Sequence, residues 1–454
     1  MTTHTAPIPA HDDPTSAFAR LLTPDTLSAL MRSTWTWDDR ALRRDLAVLL
    51  VDLDAADAAD AAAKSDDSPQ ALVRAKTLHA RALSSAARFV AAVLGPKLIA
   101  DSGNPLREHF LRDAIDPAHF DRMAAAGFAS VRDDAPAYIT AVTQQLDYPS
   151  ASTWMDLVRD GGESGLATAL RGYGHSLSDS PFYGAMGLAW QTLRAVSGDS
   201  GRAIEYADQI AAGTISATLA AAEQTGSWDP ALVRTRAIET PEGWLLTGVK
   251  QFVPAAEFAD VVFVVARSTA GPSLFAVTKS APGVTVTPLE VIDSTRPLSQ
   301  IELADSPAVL LGAEGAGGRL MMRAIDLATT ALAAEQVGLI ENAMSMLVGH
   351  TGESSGTADF QTRVAEVALD HVAAAGLWRR AVAEDAAGSA DAAPAAAAAH
   401  VGCSAAVVRA ATVAAELVGP SPETDALLRR ALSGSLLFGG PALSHERLLE
   451  RLGV

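Results

Sequence analysis

The sequence predicts a mainly α-helical chain with a central β-domain, on three observations. Alanine supplies much of the 49% hydrophobic content of the 454 residues, and it favours helix because it loses no side-chain entropy on ordering. Near Ile215 the helical periodicity gives way to short alternating runs punctuated by glycine and proline, the signature of strands and turns. Beyond residue 312 helical periodicity returns, and residues 319–350 carry apolar side chains at helical spacing on most of the circumference, with alanines between them. Such a helix belongs inside a bundle. The expected division is an N-terminal extension over 1–100, partly disordered and then helical, a helical domain over 101–213, a β-domain over 214–312 and a C-terminal four-helix bundle over 313–454.

The elements follow in order. Residues 1–16 are polar and read as a disordered tail, and 17–32 and 38–54 read as helices, with Trp35 and Trp37 expected to anchor the connection between them. The acidic, alanine-rich run 54–68 is either a solvated helix or a mobile connection. Pro69 opens a strong helix that Gly95-Pro96 ends. Residues 117–127 read as a short helix stopped by Gly127. Helical patterns continue over 152–158, 165–173, 181–196 and 201–211. Strands are expected over 216–222, 233–239, 244–247, 261–267, 274–278, 284–288 and 300–303, with Pro241-Glu242-Gly243 turning a hairpin, in an antiparallel barrel or sandwich. Helices resume over 319–350, 360–384, 394–418, 424–432 and 445–452, with a tight turn at Gly439-Gly440-Pro441.

Composition excludes several functions. A formal charge of −18 opposes nucleic-acid binding, which needs a basic field. The single cysteine, Cys403, lies in an alanine-rich helix and reads as packing. The ten histidines form no HExxH or HxxxH pair, so no metal site is expected. The N-terminus lacks a basic start and an apolar core, and no run approaches the roughly 20 apolar residues that span a bilayer. A cytoplasmic protein without membrane contact is therefore expected.

Several motifs, taken in order and spacing, carry a resemblance. Residues 222–230 read AEQTGSWDP and residues 243–250 read GWLLTGVK. Ala259-Asp260 precedes the strand VVFVVAR, Ser180-Pro181-Phe182 and Gly187-Leu188-Ala189 lie upstream, and residues 333–338 (AAEQVG) and Phe360-Gln361 lie downstream. Over residues 105–454 the chain resembles the acyl-CoA dehydrogenase family, in particular an actinobacterial branch with a GSWDP motif. The family's PExxGG loop is missing from 131–138. The resemblance implies a helical domain, a β-domain and a four-helix bundle, FAD between the last two, and a homodimer or a dimer of dimers. It also implies α,β-dehydrogenation of an acyl thioester, in which a carboxylate removes the α-proton while the flavin takes the β-hydride.

The positions that carry this chemistry in the family are altered here. The C-terminal carboxylate, nine residues after an arginine, falls on Phe438, nine after Arg429 and just before Gly439 and Gly440. The alternative position on the long helix falls on Ala328. The resemblance places FAD contacts at Gly226, Ser227, Phe252, Phe360, Gln361, Gly439 and Gly440. However, Ala222 stands for the threonine of "TEP", Phe252 and Pro254 for the tryptophan and threonine of "K.W.T", and His350 for the arginine that reaches the partner subunit's FAD. A polar loop, 351–359, follows His350, and the glutamine turn becomes the segment at Glu416. Proline offers neither an N–H nor a hydroxyl. FAD binding is expected to be weakened or lost.

Substitute acid/base candidates are His350, Glu416 and Glu446, each weighed against capping or solvated roles; Glu423, Asp425 and His445 carry weaker signals, and Arg159, Arg171 and His175 are weaker candidates still, for facing an acyl-carrier phosphate. Three functions remain open. The chain is an acyl-CoA dehydrogenase-like oxidoreductase acting on or binding an acyl-CoA or carrier-bound acyl group. Alternatively it is a flavin-independent enzyme, such as a cyclase, on the same fold. The third reading is a non-catalytic subunit of a heteromer with an intact paralogue.

Overall fold

The computed structural model describes residues 18–66, 68–100, 103–113, 118–196, 201–350 and 356–454. The expected tail over 1–16 and the first part of the polar loop after His350 lie outside the described residues. The chain forms two compact units, residues 1–131 with 452–454, and residues 132–451.

In the first unit, α1 (Pro24–Ser33) starts at Thr23, whose hydroxyl accepts the Thr26 amide at 3.2 Å. That cap satisfies a helix-end N–H and leaves Pro24 at the position where proline costs nothing. α2 (Arg40–Asp66) packs on α3 (Pro69–Leu94). Residues 54–66 of the acidic run form the last turns of α2, because Ala55, Ala56, Ala59 and Ala63 are all buried. Two short helices, α4 (Lys97–Ala100) and α5 (Pro105–Asp113), lead to α6 (Ala118–Gln144). Phe18 stacks against Phe120 and meets Phe110 edge-on, with ring centroids 6.2 and 6.0 Å apart.

Two expectations fail in this region. Gly127 does not stop a helix, since α6 runs through it. A Cβ there would lie 2.5 Å from Thr77 Oγ1, so this glycine permits close helix contact. Trp35 is no anchor: it sits at φ +62 and is 94% exposed, while Trp37 receives the Arg32 and Arg43 guanidiniums over its ring.

In the second unit, α7 (Trp154–His175) joins two predicted segments across a kink at Gly162, φ 55 and ψ −128. A π-helix over Tyr183–Trp190 runs into α8 (Gln191–Arg194), and α9 (Gly201–Ala211) leads to the sheet. The strands are β1 (Ala217–Ala220), β2 (Arg236–Thr240), β3 (Gly243–Pro254), β4 (Val261–Ser268), β5 (Gly271–Thr278), β6 (Val284–Pro288) and β7 (Leu298–Leu311). The pairing path β4-β2-β3-β7-β5 closes on itself through β4–β5, with β1 beside β4 and β6 beside β7. Leu246, Val262, Val264, Phe275 and Ile301 are buried at its centre. The barrel is not wholly antiparallel, because β1 and β2 both pair parallel with β4. The long connection between β1 and β4 gives the chain room to re-enter in the same direction.

The bundle comprises α10 (Gly317–Gly349), α11 (Ala358–Ala386), α12 (Ala392–Val418), α13 (Pro422–Leu436) and α14 (Gly440–Arg451). α14 begins at Gly440, earlier than the expected residue 445. α10 packs on α7, α11 and α12. At its crossing with α7, a Cβ on Gly338 would lie 2.0 Å from the Arg171 carbonyl oxygen, and one on Gly174 would lie 2.1 Å from that of Glu335. The expectation about apolar runs also needs correction. α12, with a mean hydropathy of 1.6 over its most apolar window, is long and apolar enough to cross a membrane. Its alanines make it so, and they also let it pack tightly against α10, α11 and α13.

Candidate functional site

The turn between α13 and α14 forms the centre of the site. α13 starts at a capping box in which Ser421 and Thr424 satisfy each other's amides, at 2.9 and 3.2 Å. It ends where Phe438 turns left-handed at φ +61, ahead of Gly439 at +101 and Gly440 at +75. Left-handed backbone is routine for glycine but strained for phenylalanine, at about 1–3 kcal/mol. Burial offsets the strain. The Phe438 ring packs on Trp228 with centroids 4.7 Å apart, and meets His400 of α12 edge-on at 5.9 Å. Its carbonyl accepts from Arg447 Nη2 at 3.2 Å.

His400 is wholly buried, and Nε2 has no hydrogen-bond partner. Burial, reinforced by Arg447 and His445, pulls its pKa down to about 3, so the imidazole is neutral at pH 7. Ala328 lies on α10, and its carbonyl accepts the buried Tyr183 hydroxyl at 3.0 Å. Neither Phe438 nor Ala328, the two positions where the sequence resemblance places a base, is a carboxylate.

The β-domain brings Gly226 and Phe252 together: a Cβ on Gly226 would lie 3.7 Å from Phe252 Cε2. A register shift between Lys250 and Val253 in β3 places Phe252 at φ +56 and leaves it 43% exposed. Ser227 Oγ accepts the Asp229 amide at 3.1 Å, closing the turn. Glu223 accepts from the amides of Arg234 and Thr235, the Thr235 hydroxyl and the Lys250 ammonium. It thus ties the loop after β1 to the hairpin. Burial lowers the Lys250 pKa to about 8 against the pull of Glu223.

The remaining sequence candidates lie elsewhere. His350 caps α10, and its ring stacks on Phe360 at 6.0 Å, with Gln361 next in the chain. Twenty-two residues of helix separate His350 from Ala328, roughly 33 Å. Glu416 pairs with Arg363, and Asp425 with Arg429. Glu446 is half-buried on α14. Arg159 is paired with Asp156 at 2.6 Å. Arg171 and His175 face α10, through Glu341 and Ser345. Cys403 is buried, with Sγ 3.4 Å from the Ala374 carbonyl oxygen. Among the described residues no cluster of His, Cys, Asp or Glu could hold a metal.

Sequence reasoning missed three buried carboxylates on α10. Asp326 is held by Arg451 at 3.0 Å, and burial raises its pKa to about 6. Together with Arg319, Arg323, Arg451, Met322, Gly318 and Pro230 it lines an open pocket. Glu335 lies between Arg296 and Arg430, which themselves lie over the rings of Tyr183 and Tyr173. Burial opposes its ionisation, but the two guanidiniums overcome this and hold it below the usual range. Glu341 binds Arg171, the Tyr148 hydroxyl and His371, and His371 in turn contacts the Tyr138 hydroxyl at 2.7 Å. A carboxylate within an apolar helical face was the available signal, and it did not name the partners.

Residues 218–305 match the family model of the acyl-CoA dehydrogenase middle domain. A curated relative, cyclohex-1-ene-1-carbonyl-CoA dehydrogenase of Geobacter metallireducens, is 30% identical over 148 residues, 30% of this chain and 39% of that protein. The alignment thus spans about two fifths of the relative's length. Butyryl-CoA dehydrogenase of Megasphaera elsdenii superposes with a TM-score of 0.59 at 17% identity, covering 70% of this chain and 97% of that one. A structure described as an FAD-dependent dehydrogenase gives a TM-score of 0.59 at 19% identity, covering 72% and 97%. Residues 218–305 thus match the middle domain of the acyl-CoA dehydrogenases, and the superpositions show the same fold. The β-domain carries the sequence match, and about seven tenths of the chain carries the fold.

FAD is the cofactor this family implies, and the donor set here fits it poorly. Pro254 lacks an N–H, and its carbonyl accepts the Thr218 hydroxyl at 2.6 Å. Ala222 has no hydroxyl, and its carbonyl is taken by the Gln251 amide at 3.0 Å. The Glu223 carboxylate is committed to the hairpin. Trp228 and Phe438 meet directly across the β-domain and the α13–α14 turn.

Proposed function

We propose that this acyl-CoA dehydrogenase-family chain binds an acyl thioester without performing the family's α,β-dehydrogenation, and that its affinity for FAD is weakened or lost. The observation that carries the reading is Phe438: a buried aromatic side chain, packed on Trp228 and His400, stands where relatives place the base. Phenylalanine cannot accept a proton, and Ala328 cannot substitute for it. The named carboxylates nearby are committed, Asp326 to Arg451 and Glu335 to two arginines. The pocket beside Asp326, with Arg319, Arg323 and Arg451 on its wall, suits the phosphates of a CoA or carrier arm. On this reading the chain either shapes an acyl group for a non-redox step or serves as the base-free subunit beside an intact paralogue.

The test combines three measurements on the purified chain. The visible spectrum should lack stoichiometric flavin absorbance. Calorimetry with butyryl-CoA should show binding that Arg319→Glu with Arg323→Glu removes. Turnover with an artificial electron acceptor and added FAD should be absent. Stoichiometric flavin, or flavin-dependent enoyl-CoA formation, would overturn the proposal.

A further inference from the structure

The groups around Phe438 invert the charge of the position where the family keeps a carboxylate. His400 comes from α12, and His445 and Arg447 come from α14. His400 Nε2 and Arg447 Nη1 are buried atoms without hydrogen-bond partners. Leaving such a group unpaired costs the full desolvation of that group, so buried polar atoms of this kind normally have a protein, ligand or water partner. Arg447 makes no ion pair among the described residues. Asp326 and Glu450 act on it only through space, and Asp326 is already held by Arg451. From the other side the Phe438 and Trp228 rings supply apolar walls. Two unsatisfied polar groups, one of them a cation, beside the packed Phe438 and Trp228 rings match one ligand chemistry: a carboxylate on a short aliphatic chain.

We propose that His400 and Arg447 form a carboxylate-binding site at the position vacated by the family's base. The Arg447 guanidinium donates to one carboxylate oxygen, and His400, taking up a proton as the anion arrives, donates from Nε2 to the other. The titratable and charged groups that act on the pair are His445, Glu450 and Arg451 from α14 and Asp326 from α10, and Trp228 lies against Phe438. Binding of an anion favours the charged imidazole, so the depressed titration of His400 moves up when the site fills. The site belongs to this chain's own residues and does not depend on thioester binding, so its test stands apart from that of the proposed function.

The probe is butyrate, with butyramide as a neutral isostere. Each is titrated into the full chain carrying labelled histidine, and the His400 NMR resonance is assigned by its loss in His400→Gln. Butyrate should shift that resonance saturably and raise its titration midpoint by about one pH unit or more, while butyramide should leave it in place. Arg447→Met should weaken the butyrate effect by about tenfold, with unchanged near-UV circular dichroism. If His400→Gln does not fold, Arg447→Met and the wild-type butyrate/butyramide pair still decide the matter. Equal responses to the two probes, no response to butyrate, or a butyrate affinity unchanged in Arg447→Met would overturn the proposal.

Discussion

Glu341 shows how single residues set the pH response of this chain. Burial alone would raise its pKa, but His371, Arg171 and Tyr148 hold it at about 2 against an ordinary 4.5. A carboxylate with a depressed folded pKa contributes stability that is fully present above the unfolded value and lost as pH falls through the folded one. The contribution should be on the order of 3 kcal/mol above about pH 4.5 and should disappear towards pH 2. Glu341→Gln should flatten this limb of a stability–pH curve measured by urea unfolding. It should also destabilise the chain at neutral pH, because the Arg171 guanidinium loses its counter-charge. An unchanged acid limb in the variant would mean that the network does not hold the charge. The sequence marked Arg171 and His175 as candidates for an acyl-carrier phosphate, and the structure instead turns both towards α10. A side chain's direction depends on which helix lies opposite, and periodicity carries no information on that.

At the scale of elements, α10 and its crossing with α7 decide whether the bundle closes. Helix propensity alone predicts that replacing Gly338 or Gly174 with alanine stabilises a helix by roughly 1 kcal/mol. Packing predicts the opposite sign, because the new Cβ atoms would lie 2.0 Å and 2.1 Å from backbone carbonyl oxygens of the facing helix. Backbone cannot rotate away as a side chain can, so the helices must separate. Gly338→Ala and Gly174→Ala should each lower stability by about 2 kcal/mol or more, read as a fall in melting temperature; a rise in either would refute the close crossing. Long elements were legible for a related reason. α10, α11 and α12 have enough turns for their apolar faces to declare themselves, and β4 is a continuous buried run. Breaks were read less well. Gly127 lies inside α6, where its missing side chain lets Thr77 approach, Pro136 also lies inside α6, and α7 runs on past a kink at Gly162. The parallel pairing of β1 with β4 was also hidden, since strand patterns specify faces and not partners.

At the scale of the whole molecule, the proposed function separates the fold from the family's chemistry, and this can be tested by trying to rejoin them. The order of helical domain, β-domain and bundle was readable because a handful of motifs sit at fixed spacing, and the β-domain match and the superpositions agree with it. What the motifs could not show is that Trp228 and Phe438 meet directly. The proposed function combines two losses in this molecule, the base at Phe438 and Ala328 and the donors at Ala222 and Pro254. If the base were the only loss, Phe438→Glu would restore dehydrogenation once FAD was added. With the donors lost as well, the restored carboxylate faces no oxidant, and an α-proton removed from the thioester simply returns. Phe438→Glu reconstituted with excess FAD and given butyryl-CoA with an artificial electron acceptor should therefore form no enoyl thioester. Solvent exchange of the α-hydrogen, followed by mass spectrometry in deuterium oxide, should rise above the wild-type rate where the new carboxylate reaches the substrate. Exchange without oxidation would separate the two losses within one variant, whereas flavin-dependent oxidation would show the cofactor site to be intact and limit the change in this chain to its base.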